Sequence, residues 1–135
     1  MRLLILLFLL WPVTASGQQG ITEDYAPVVA QIIERGDKAV SNYALERAVV
    51  TGNEFSRLYF DVFESSGMEF TLGLKDQSFM LEIESGFSQM ISLAMDGREK
   101  SVLTVTWEAL KQKLHYAAEH YSSSEGSVGF WGLVL

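Results

Sequence analysis

Residues 76–97 read DQSFMLEIESGFSQMISLAMDG, and this stretch decides the fold class. Phe79, Ile83, Phe87, Met90 and Ala94 recur at three- and four-residue steps, which places them on one stripe of a helix turning every 3.6 residues. Asp76 stands where an N-cap belongs, and Asp96-Gly97 supplies a stop. The same period extends in both directions. Downstream, Ser101 opens a helix carrying Leu103, Trp107, Leu110, Leu114, Ala117, Ala118 and Tyr121 along one side. Its first turn, 102–106, is rich in β-branched residues, so a strand start is the alternative there. Upstream, Ala48, Phe55, Leu58, Tyr59 and Val62 mark a helix that Gly67 ends. Before it, Val29, Ile32, Ile33, Gly36, Val40 and Tyr43 mark another, capped from 22–24, with Pro27 in its first turn. The turn between those two is expected at 42–45, with 51–53 as the alternative. Four amphipathic helices with short connections predict an all-α chain, an antiparallel four-helix bundle.

The flanks have a different character. Residues 1–20 hold one cation, Arg2, then the apolar run 3–11, Pro12 and small residues. This is the pattern of a secretory signal peptide, and the run falls short of the roughly 20 residues needed to span a bilayer. The extracytoplasmic domain is then expected over 21–122. Residues 123–129 read as a linker, and 130–135, starting with Phe130 and Trp131, as the start of an apolar segment. That segment reads either as the first turns of a transmembrane helix or as a tail packed back on the helices.

Seventeen acids against ten bases give a formal charge of −7. Phosphate neutralisation needs a basic patch, so nucleic acid is not expected as a partner, and a cation or a basic protein surface suits the chain better. Cysteine is absent, which excludes disulfides, thiolate zinc sites, iron–sulfur clusters and covalently attached haem. Motifs of nucleophilic and phosphate-binding enzymes are also missing, and no enzymatic activity is expected.

Two groups of side chains have the chemistry to hold a metal. Asp61 and Glu64 near a helix end, with Met68 and Glu69 just beyond it, gather carboxylates and a thioether. Hard oxygen ligands suit ferric iron, manganese or calcium, whereas a thioether favours cuprous copper. The same residues also read as a solvated acidic face with Met68 filling the core. The second group is Glu108, His115 and Glu119, which share a helical stripe with His and Glu four residues apart. Its alternative is a solvated face laced by Lys111 and Lys113. A dimetal oxidase is not favoured, because Glu-x-x-His does not occur.

The string Tyr59-Phe60-Asp61-x-Phe63-Glu64-x-x-Gly67-Met68-Glu69, with Asp76, Ile83-Glu84-x-x-Phe87 and Met95-x-Gly97, resembles the extracytoplasmic N-terminal region of bacterial high-affinity iron permeases, the oxidase-dependent iron transporter family. The resemblance covers roughly 23–122. It implies a periplasmic domain of a cell-membrane protein that receives or senses the transported iron ion, or docks a periplasmic metal-binding protein or an oxidase. Family transport relies on Arg-Glu-x-x-Glu motifs in a transmembrane domain, and this sequence contains none. The metal-site residues it implies are Glu64, Met68 and Glu69, with Asp61 as neighbour. A periplasmic helical sensor in a membrane-anchored signalling protein is the alternative.

Overall fold

The computed structural model describes residues 23–123, and every described element is helical. Helix α1 spans Ala26–Ser41, α2 Ala48–Arg57, α3 Met68–Lys75, α4 Gln77–Met95 and α5 Lys100–His120. A 3₁₀ turn, Leu45–Arg47, leads into α2, and a π-helical segment, Leu58–Glu64, continues it. The export signal expected at 1–20 and the apolar start expected at 130–135 lie outside the described residues, as does the linker beyond Ser123. Among the described residues no helix is long and apolar enough to cross a membrane.

The connections follow local chemistry. Helix α1 stops at Ser41, so the turn falls at 42–45 rather than at 51–53, which is helical. Gly67 adopts φ 87°, the left-handed conformation that ends a helix with least strain in glycine. Gly67→Ala is expected to lower stability by about 1–2 kcal/mol, the cost of a Cβ in that region, read as a lower urea midpoint. Asp76 caps α4 by accepting the Phe79 N–H at 3.0 Å. The β-branched start of α5 is helical, with Thr104 Oγ1 and Thr106 Oγ1 donating to the Lys100 and Val102 carbonyls. Leu103 and Trp107, both buried, set that period.

One expectation needs correction: among the described residues there are five α-helices where four were expected. The fifth is α3, which contains Met68 and Glu69, so these residues open a helix instead of trailing one. It buries Met68, Thr71 and Leu72 while leaving Phe70 and Leu74 exposed. With apolar side chains on both faces it lacks the one-sided stripe by which an amphipathic helix is recognised.

Packing orders the helices around one core. Tyr25 N–H donates to Ser122 Oγ, Trp107 Nε1 to Asp37, and Lys100 Nζ to the Ser41 carbonyl. Residue numbers rise on α1 as they fall on α5, so the two run antiparallel. Phe79 against Tyr116 and Gly86 against Leu110 give the same relation for α4 and α5. Gly52 against Met95 and Tyr59 against Phe87 give it for the α2 arm and α4. Helix α3 is fastened to the start of α1 by a 2.7 Å hydrogen bond between Tyr25 and Thr71. At this end Ser123 N–H donates to the Glu23 carbonyl at 2.7 Å, so the two ends of the described chain adjoin.

Tyr121 Oη donates to Asp76 Oδ2 at 2.5 Å and ties the end of α5 to the start of α4. This bond, then the Phe79 N–H, holds the Asp76 carboxyl below its usual 3.8, while the Asp76 carboxylate pushes Tyr121 up to about 12. The depressed carboxyl contributes stability above its unfolded value that is lost as pH falls through the folded one. The raised phenol contributes stability below its unfolded 10.0 that is lost as pH rises toward 12. Asp76→Asn is therefore expected to flatten both limbs of a stability–pH curve measured by urea titration, and unchanged limbs would contradict this role.

Candidate functional site

The π-helical segment is where the chain departs most from regular structure. Its widened turn is seen in the Ser65 N–H, which reaches the Phe60 carbonyl five residues back at 3.2 Å. Such turns cost regular hydrogen bonding and occur often at functional sites. Here the wide turn lets Leu58, Val62 and Phe63 all be buried. Tyr59 lies against Phe63 and Phe87, with ring centroids 5.8 and 5.6 Å away, and Phe60 packs edge-on at 4.8 Å. The Tyr59 ring is thereby fixed with its hydroxyl turned toward the start of α3.

There the hydroxyl donates to the Glu69 carboxylate, and Glu84 on α4 acts on the same hydroxyl. Burial first, then the bond to Glu69 and the charges of Glu69 and Glu84, drive the phenol well above its ordinary range. Tyr59 thus keeps its proton at neutral pH. One phenol proton serves only one carboxylate at a time. Among the described residues neither Glu69 nor Glu84 forms an ion pair. Two half-buried carboxylates therefore converge from α3 and α4 on a single shared donor, a group of hard oxygens.

The four residues expected to form a metal site differ in burial. Asp61 and Glu64 are exposed on the π segment, and Met68 is fully buried in the core. Of the four, Glu69 alone belongs to the Tyr59 group. The exposure of Asp61 and Glu64 agrees with the solvated-face reading, and the burial of Met68 agrees with the core-filling reading. Glu108, His115 and Glu119 are all exposed on α5. Glu108 is taken up by Lys111 at 2.7 Å, and Glu119 approaches His120 at 3.9 Å. Among the described residues no group of three or more His, Cys, Asp or Glu side chains is placed to hold a metal.

Sequence reasoning missed Glu84 as a partner of Glu69, because only the turn through α3 brings the start of that helix beside the middle of α4. It also missed the Arg35–Glu54 pair, whose two hydrogen bonds at 3.0 and 3.1 Å join α1 to α2. Lys111 likewise bridges helices, bonding Asp37 at 2.8 Å as well as Glu108. Partial burial pushes Asp37 up, yet hydrogen bonds from Lys111 and Trp107 outweigh it and hold Asp37 below its usual range.

Comparison with protein-family models, with curated proteins and with solved structures finds no match.

Proposed function

We propose that this chain is the extracytoplasmic domain of a cell-membrane protein that moves iron, and that it receives ferric iron at Tyr59, Glu69 and Glu84. The observation that carries the reading is the convergence at the Tyr59 hydroxyl. Tyr59, Phe63, Glu69, Glu84 and Phe87 all belong to the stretches on which the permease resemblance rests, and they meet from three elements. Carboxylate and phenol oxygens are hard donors matched to a hard trivalent cation. A bound cation inverts the local electrostatics: the charges that now keep the phenol protonated would be neutralised, and the proton would be released on binding.

The fold supports the role. The four long helices are read as an antiparallel four-helix bundle with α3 laid at one end. Glu23 and Ser123 adjoin there, so both ends of the described residues lie at one end of the domain. The test is uptake of ferric iron from its nitrilotriacetate chelate by the full chain, followed by equilibrium dialysis. Saturable uptake that releases protons is expected. Its absence would remove the reading.

The second reading is a sensor or binding domain of a membrane-anchored signalling protein, favoured by the groove between α1 and α2 that Arg35, Lys38, Arg47 and Arg57 line. The coding sequence downstream separates the two. Arg-Glu-x-x-Glu on a hydrophobic helix supports the permease, and a cytoplasmic signalling module supports the sensor.

A further inference from the structure

In a chain of net charge −7, cations have acids to spare and are expected to pair with them. Along α1 and α2 several do not. A groove of about 240 Å³ between these helices is lined by Arg35, Lys38, Arg47 and Arg57, with Glu34 and Glu54. Arg35 and Glu54 neutralise each other through their paired hydrogen bonds. That leaves three cations and one carboxylate in the lining, with Asp61 acting on Arg35 from outside it. Among the described residues the side chains of Lys38, Arg47 and Arg57 make no ion pair or hydrogen bond.

Lys38 and Arg57 stand in the last turns of α1 and α2, where helix dipoles favour positive charge. The dipoles account for two of the cations being tolerated. They do not account for Arg47, at the opposite end of α2, turning into the same concavity. Asn42 adds an amide to the rim, and Ala39 and Val50 add apolar surface. A concave site lined by a few polar groups is the usual form of a small-molecule site, and about 240 Å³, just under the usual range of about 300–1,000 Å³, limits the occupant to one small solute.

We propose that the α1–α2 groove binds a small multivalent oxyanion, a di- or tricarboxylate or a phosphate, held by Lys38, Arg47 and Arg57. Guanidinium groups suit this ligand because each presents two parallel N–H donors to a carboxylate or phosphate. The Arg35–Glu54 pair stiffens the groove wall by joining the two helices that form it. A long acidic peptide is the poorer fit, since the groove is only about 240 Å³.

The experiment is isothermal titration of the full chain with citrate and, separately, with pyrophosphate, at low ionic strength. Saturable binding of at least one is expected, weakening as salt rises. Arg47→Gln/Arg57→Gln is expected to weaken it tenfold or more, while Lys113→Gln on α5 leaves it unchanged. All three side chains are on the surface, and circular dichroism of each variant verifies the fold. Binding of citrate alone assigns carboxylates, and binding of pyrophosphate alone assigns phosphates. Failure of both anions to bind, or equal affinity in the double variant and the wild type, overturns the proposal. Tyr59→Phe should leave these titrations unaltered, so this site and the iron site succeed or fail separately.

Discussion

Trp107→Ala is expected to cost about 3–5 kcal/mol, the range for removing a large buried aromatic, and so to take away a large part of a domain's usual 5–15 kcal/mol. Trp107 is only 1% exposed and contacts two other helices, α1 and α2, through different atoms. Its ring meets Phe55 edge-on at a centroid distance of 5.2 Å, and its Nε1–H donates to Asp37 at 2.8 Å. The far side of the indole lies directly on the α1 backbone at Gly36. A Cβ built on Gly36 would come within 2.3 Å of two Trp107 ring carbons, far inside van der Waals contact. Gly36→Ala alone is therefore expected to cost about 1–3 kcal/mol by overpacking, since a rigid indole cannot bend away as Met95 can from Gly52. The two changes should be strongly non-additive. In the Trp107→Ala background the clash is gone, and Gly36→Ala should cost almost nothing. Urea unfolding of the four proteins measures this coupling, and additive costs would contradict the packing described.

The second large effect concerns iron. Glu69→Gln/Glu84→Gln keeps the size of both side chains and removes both charges, and it is expected to weaken ferric iron binding by a hundredfold or more. Each carboxylate supplies charge in a half-buried setting, where screening by water is reduced. Asp61→Asn/Glu64→Gln is the informative contrast. Those acids were the natural choice from the sequence, yet they are exposed on the π segment, so their loss should change iron affinity less than threefold. A reversal of this order would return the site to the π-segment surface.

Much of the fold was legible because single residues announce it. Asp76 caps, Gly67 and Gly97 adopt φ of 87° and 68°, and the stripes of α1, α4 and α5 mark buried positions. Helix α3 was not legible, since its apolar residues lie on both faces. The π segment was hidden for a related reason: its extra width changes hydrogen-bond partners without changing which residue types line the core. The candidate site was half legible. Glu69 was identified, but its partners depend on how α3 turns the chain back onto α4, a tertiary fact that no spacing encodes. Met68 is fully buried, and a thioether fills a core as readily as it binds a soft metal, so residue type alone does not separate the two roles.

The central claim is that Tyr59 supplies an oxygen to the iron, and the visible absorption spectrum of the full chain loaded with ferric iron tests it most directly. A phenolate bound to ferric iron absorbs visible light by ligand-to-metal charge transfer, which carboxylates alone do not. The account predicts such a band in the wild type, absent from Tyr59→Phe loaded under the same conditions. An iron-loaded wild type without the band, or a Tyr59→Phe variant that retains it, would contradict the account.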